Sequence, residues 1–158
     1  MLIEVKVGAL IMDPNSNTPI VVLKGINDDA ILPIWVGAYE ANAIALEIEK
    51  IVPQRPMTHD LLRNIITEMG CQVNKISVTD LIDNTFYAII EITDKDGKAI
   101  SLDARPSDAI ALALRTDCPI FVAQKVIDLS NASSTSQNRI DDAEETQKPI
   151  EEWPDLIG

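Results

Sequence analysis

Asp103-Ala-Arg-Pro-Ser-Asp-Ala-Ile-Ala-Leu112 is the stretch on which the fold reading turns. Its first residues close an apolar strand, and Pro106 is suited to the first position of a helix because its missing N–H would be unpaired there anyway. The Ala-Ile-Ala-Leu run that follows has the propensity and spacing of a buried helix face. The same run occurs at Ala43-Ile-Ala-Leu46, 66 residues earlier. That shift also pairs Ile34 with Ile100, Ala38 with Ala104 and Pro53 with Pro119.

Working outward, alternation of apolar and charged residues marks a strand over residues 2–12, then further strands at 20–23 and 31–36. Asp13-Pro-Asn-Ser-Asn-Thr and Asn27-Asp-Asp are turn signals between them. Pro33 suits an edge strand, where a missing donor costs no ladder bond. A helix is expected over 38–51, and a second over 59–69 with Thr58 as N-cap and Gly70 as terminator. Leu61, Leu62, Ile65, Ile66 and Met69 have the spacing of a buried face on that second helix. Strands follow at 71–79, 85–93 and 99–104, with Asp83-Asn84 and Asp94-Lys-Asp-Gly97 as hairpin turns. A helix over 106–116 and a strand over 119–123 complete the pattern. The expected class is α+β, with mixed or antiparallel sheets and a duplicated β-β-β-α unit spanning residues 1–130. Polar, aperiodic sequence from about Asn131 reads as a flexible linker and tail over 131–158, with Trp153, Leu156 and Ile157 able to dock on this chain or a neighbour.

Composition narrows the function classes. Apolar residues make up 46% of the 158 residues but aromatics only 4%, so the core must be aliphatic. No apolar run is long enough for a membrane span, and the N-terminus lacks signal-peptide character, which points to the cytoplasm. Cys71 and Cys118 are too few for a disulfide framework and read as buried thiols. The net charge of −12 divides into −6 for residues 1–127 (17 acidic, 11 basic) and −6 thereafter (8 acidic, 2 basic). That balance disfavours a long counterion-releasing nucleic-acid surface and leaves room for a small site built on carboxylates.

Phosphate-binding and dinucleotide-binding glycine loops, nucleophile elbows and the His-Glu-x-x-His zinc motif are all missing, and His59 is the single histidine. Three places carry polar residues suited to chemistry. At the strand-to-helix junction, Arg105 could hold phosphate beside unpaired N–H groups, while Asp103 or Asp108 could bind a divalent cation. Ser107 and Asp108 equally suit a plain helix start, satisfying N–H groups and offsetting the dipole. Glu40 and Glu47, seven residues apart on one helix, could border a cleft or form a solvated rim. In Arg55-Pro-Met-Thr-His-Asp60, His59 could act as a base near neutral pH or simply begin a helix.

Taken in order, Leu32-Pro-Ile-Trp-Val-Gly37 with Glu40 and Ala41, Arg55-Pro-Met-Thr-His-Asp-Leu61, Phe86-Tyr-Ala88 and Asp103-Ala-Arg-Pro-Ser-Asp-Ala109 resemble the bifunctional nuclease domain over roughly residues 2–128. The resemblance implies an α+β fold, a homo-oligomer, and an activity on both DNA and RNA. Combined with the chemistry above, it gives an expected mechanism of metal-assisted phosphodiester hydrolysis. Asp103, Asp108 or Glu40 would hold magnesium or manganese, Arg55, Arg105 and Ser107 would engage phosphate, and His59 would activate water. A non-catalytic binding or assembly module, and a hydrolase of a small phosphorylated ligand, are the competing readings.

Overall fold

The strands assemble as the alternation dictates. In the computed structural model, which describes residues 1–137, β1 (Leu2–Asp13), β2 (Thr18–Gly25) and β3 (Ile31–Trp35) form an antiparallel meander. A second meander comprises β4 (Gln72–Ile82), β5 (Thr85–Thr93) and β6 (Ala99–Ala104). The short β7 (Ile120–Ala123) lies between them, antiparallel to β1 and parallel to β4. One seven-stranded mixed sheet results, ordered β3-β2-β1-β7-β4-β5-β6. Pro33 lies on the edge strand β3, facing Val22 of β2. The hairpin at Asp83 and Asn84 turns with positive φ at both residues (51° and 61°), the geometry of a type I′ turn.

Register places Leu32, Leu23, Val5, Ile120, Ile76 and Ile90 on one sheet face, because directly paired residues share a side. All belong to a single apolar cluster. The cluster is roofed by α1 (Ala38–Ile48) and α3 (Pro106–Thr116), whose repeated runs are buried: Ala43, Ile44 and Ala45 on one helix, Ala109 through Ala113 on the other. Alanine at these positions lets α3 pack closely on α1 while touching β4 and β5. The order β-β-β-α thus occurs twice, in β1–β3 with α1 and in β4–β6 with α3.

Three expectations need correction. The second helix, α2 (Thr58–Glu68), forms one residue earlier than expected, so that Thr58 is its first residue and Met57, not Thr58, is the N-cap. Its apolar stripe, however, faces outward: Leu61, Leu62, Ile65 and Met69 are exposed, and only Ile66 is half-buried. The buried residues of α2 are His59 and Asp60, held inward by hydrogen bonds described below. Secondly, helical backbone continues from β7 through α4 (Gln124–Gln137), where a linker had been expected from residue 131. Val126 and Ile127 of α4 join the core, so tertiary anchoring of the first turns carries helix into a polar sequence. Thirdly, Cys71 and Cys118 are half-buried free thiols rather than buried ones, and burial pushes the Cys118 thiol up. Trp153, Leu156 and Ile157 lie outside the described residues.

No helix among the described residues is long and apolar enough to cross a membrane.

Candidate active site

Each of α1, α2 and α3 carries an acidic residue at its third position: Glu40, Asp60 and Asp108. A carboxylate there suits the positive end of a helix dipole and can bond the free first-turn N–H groups. Asp60 does so, accepting the Met57 N–H at 2.9 Å. The three carboxylates also reach across to other helices, and these reaches assemble the site.

Arg105, the N-cap of α3, stands at the centre. Its Nε donates to Asp108 Oδ2 and its Nη2 to Glu40 Oε1, both at 2.9 Å. The other oxygen of Asp108, Oδ1, lies 2.9 Å from His59 Nε2. Glu40, Arg105, Asp108 and His59 therefore form one continuous chain of hydrogen-bonded side chains across three helix N-termini. Within it, the Arg105 side chain is 66% exposed and that of His59 only 10%, so the chain runs from solvent into the protein. Burial works to raise the Asp108 carboxyl, but hydrogen bonds from His59 and Arg105 and the charge of Arg105 outweigh it, and Asp108 sits below the ordinary carboxylate range. The same contacts, Asp108 foremost and then Glu40, raise the Arg105 guanidinium. Asp108 is thus ionised at neutral pH, and because an ionised carboxylate can only accept, His59 Nε2 is the donor in their hydrogen bond.

Glu40 is positioned by a glycine. A Cβ at residue 37 would collide with Glu40 Oε2, so Gly37, the N-cap of α1, leaves the space in which the carboxylate folds back toward Arg105. Shifted by 66 residues, Glu40 would correspond to Pro106. The helices themselves begin 68 residues apart, at Ala38 and Pro106, and it is Asp108 that occupies the position equivalent to Glu40.

Behind this chain lies a second pair that the sequence did not disclose. Arg115 Nε donates to Asp60 Oδ1 at 2.8 Å, its Nη1 to Ala111 O, and its Nη2 to Ala43 O. The Arg115 side chain is 2% exposed. A guanidinium so buried is tolerable only because nearly every polar edge of it is bonded. It ties α1, α2 and α3 together and fixes the first turn of α2, where His59 precedes Asp60. For Asp60, burial opposes ionisation, yet the Met57 N–H, the Arg115 hydrogen bond and the Arg115 charge together lower its carboxyl. The signal available in the sequence is one cation directly after the apolar run Ala109–Leu114, and a cation in the last turn of a helix is also what the dipole alone favours.

The remaining candidates are placed elsewhere. Asp103 is exposed on β6, paired with Ile89, and alternation puts its side chain on the sheet face opposite α3. Ser107 is buried in the first turn of α3. Arg55 is exposed in the connector between α1 and α2 and joins none of these pairs. Glu47 lies toward the other end of α1, lining a depression of about 210 Å³ with Ile51, Val52, Asp60 and Arg63.

The donor set does not suit a resident divalent ion. Among the described residues no three His, Cys, Asp or Glu side chains converge as a metal would require. Glu40 and Asp108 converge on a guanidinium instead, and Asp103 points away. What the cluster can do is hold a histidine against an ionised carboxylate, beside a solvent-exposed arginine at a confluence of positive helix ends.

Comparison with known proteins agrees with the order of motifs. The model of the bifunctional nuclease domain matches residues 21–135. Uncharacterized protein Rv1829 of Mycobacterium tuberculosis is 39% identical over 149 residues, covering 89% of this chain and 88% of its own. Bifunctional nuclease 1 of Arabidopsis thaliana is 30% identical over 108 residues, 66% of this chain and 33% of the plant protein. Bifunctional nuclease 1 of Oryza sativa subsp. japonica is 27% identical over 100 residues, 62% and 30% respectively. The regions matched in this chain by the family model and by the mycobacterial protein take in most of the sheet and the helices that build the hydrogen-bonded chain, and on that extent the chain belongs to the bifunctional nuclease domain family.

Proposed function

We propose that this chain hydrolyses phosphodiester bonds of nucleic acid, with His59 as general base and Arg105 as the phosphate-binding group. The observation that carries the reading is the His59–Asp108–Arg105–Glu40 chain at the meeting of three helix N-termini. The names of the plant relatives, bifunctional nucleases, support the same reaction.

Asp108 accepts the His59 Nε2 proton and holds the ring still. Nδ1 then takes a proton from an attacking water as its oxygen bonds to phosphorus, the P–O bond to the leaving sugar oxygen breaks, and that oxygen receives the proton from His59. Arg105 uses one edge of its guanidinium for Asp108 and Glu40 and offers the other to a phosphate oxygen. The N–H groups in the first turn of α3 add to that attraction. Before substrate binds, with His59 neutral, the four side chains sum to −1. Once His59 takes the proton they sum to zero, so the site holds an anion best as the reaction proceeds.

The test is cleavage of end-labelled single-stranded RNA and DNA by wild type, His59→Asn and Asp108→Asn, each with EDTA, Mg²⁺ or Mn²⁺. A base of this kind contributes about 10²–10⁴-fold, and the His59 variant should lose that much. Cleavage by His59→Asn at the wild-type rate would reject the role of His59. Activity found only with Mn²⁺ or Mg²⁺ and abolished by EDTA would favour metal assistance, with Glu40 or Asp108 drawn from Arg105 onto the ion.

A second reading follows from the charge. Arg105 is already balanced by two carboxylates and the chain carries −12, conditions under which a small phosphorylated ligand binds more readily than a polyanion. Turnover of a nucleotide or phosphodiester analogue without polymer cleavage would favour it. Neither activity, together with firm self-association, would favour an assembly module.

A further inference from the structure

Trp35 is 53% exposed and yet held still, because its Nε1 donates to Asp13 Oδ2 at 3.1 Å. Beside it lies a cavity of about 360 Å³, the size of a small-ligand site, which none of His59, Asp108, Arg105 and Glu40 lines. Its apolar walls are Pro33 and Trp35 of β3 with Leu81 and Phe86 of the β4–β5 hairpin, and α4 closes it with three serines. The polar groups there are few and open to a ligand. Ser133 and Ser134 give their hydroxyl protons to Leu129 O and Ser130 O, which leaves their lone pairs for a ligand's N–H. Ser130 is only 9% exposed, and among the described residues neither its hydroxyl nor the side-chain amide of Asn84, also on the wall, has a hydrogen-bond partner.

We infer that this pocket receives an unpaired base of the nucleic acid whose phosphate sits at Arg105, an inference that rests on the nuclease reading. Charge selects the occupant. No Lys or Arg lines the pocket, Asp13 is bonded to Trp35, and Asp83 precedes Asn84. Nothing there balances a phosphate, whereas an uncharged heteroaromatic ring can stack on an indole or phenyl face and give N–H groups to the serine oxygens. The walls also adjoin the phosphate site by register. Trp35 stands two residues before Gly37, the N-cap of α1. Phe86 stands two residues before Ala88, whose partner Ala104 precedes Arg105. Two residues of extended chain cover about 7 Å, a distance that one or two nucleotides bridge. The paired serine acceptors favour a base with an exocyclic amino group.

Uncharged nucleosides test it, since they carry no phosphate for Arg105 and no bond to cleave. In the full chain with Trp153→Phe, Trp35 is the sole tryptophan, and its indole N–H gives a single resonance in a ¹⁵N-correlation spectrum. Adenosine and cytidine are expected to shift that resonance saturably, and uridine to bind more weakly. Ser133→Leu/Ser134→Leu fills the pocket from exposed positions of α4 and should weaken adenosine at least about tenfold. Ser134→Ala, which removes an acceptor and little volume, should weaken it severalfold, a result that does not depend on how well the larger variant folds. With labelled single-stranded RNA, the loss in the filled variant should fall on KM rather than kcat. A nucleoside shift without RNA cleavage would keep the pocket and sink the nuclease reading; cleavage without any nucleoside shift would do the reverse. A filled variant that binds adenosine as wild type does would overturn the assignment. So would a resonance that answers only to dilution or to Leu156→Asp/Ile157→Asp, which would give the pocket to a second copy or to the C-terminal stretch.

Discussion

Glu40 reaches Arg105 only because residue 37 has no side chain. Gly37 has an ordinary negative φ, so Gly37→Ala meets no backbone strain, and the obstructing atom is the movable end of a glutamate. The substitution is therefore expected to change thermal stability by less than about 1 kcal/mol. It should nonetheless free one side of Arg105 and alter substrate affinity, with KM moving and Tm holding. The pair Asp60–Arg115 behaves in the opposite way. Arg115→Met strands a buried carboxylate, at a cost of about 3–5 kcal/mol, and should lower Tm by roughly 10 °C in a domain of this size. The pH dependence has a definite sign. Asp60 and Asp108 are both lowered in the folded chain, so their contribution is present above the unfolded carboxylate value, about 3.9. It disappears as pH falls through the lower folded values. Chemical denaturation at a series of pH values should show stability falling as pH drops below about 5, and Asp60→Asn should flatten that fall while lowering the plateau at neutral pH.

Among the elements, those defined by local pattern were legible and those defined by partners were not. Alternation and turn chemistry placed all seven strands, and Pro33 correctly marked an edge. Gly70 ends α2 as anticipated, at φ +75°, with Gly70 N–H bonded to Thr67 O and Cys71 N–H to Ile66 O. Gly70→Ala must force a Cβ into that left-handed conformation and against Lys95 Cβ at 3.2 Å. A loss of about 1–2 kcal/mol is expected by chemical denaturation. The face of α2 was misread because periodicity reports that a helix is two-sided, and says nothing about which side meets this chain's core. Two side-chain hydrogen bonds, to Arg115 and Asp108, decide that question, and they join residues 55 and 49 positions apart. Likewise the polar sequence of α4 gave no helix signal of its own; its first turns are pinned by Val126 and Ile127. Of the site, Glu40, His59, Arg105 and Asp108 were recognisable as residue types at helix starts. Their convergence was not, since it depends on how α1, α2 and α3 pack. Asp103, the first residue of the motif, is separated from the cluster by the alternation of a single strand.

At the scale of the molecule, the proposed phosphate site is one small place on an acidic chain. Three helix N-termini and the exposed Arg105 guanidinium are gathered there, in a chain of net charge −12. Binding of a polymer should consequently involve few phosphates, so that affinity falls only weakly with salt, by a slope corresponding to one or two released counterions. Filter binding of labelled single-stranded RNA across a salt series measures that slope, and a steep one would point to a longer basic track. The central claim is that His59, aligned by Asp108, performs phosphodiester hydrolysis. Its most direct measurement is the initial rate of cleavage of a labelled single-stranded RNA by wild type and His59→Asn, purified side by side and matched for folded fraction. The account predicts cleavage by wild type and a rate at least about 100-fold lower in the variant; equal rates in the two proteins, or no cleavage by wild type above a mock purification, would contradict it.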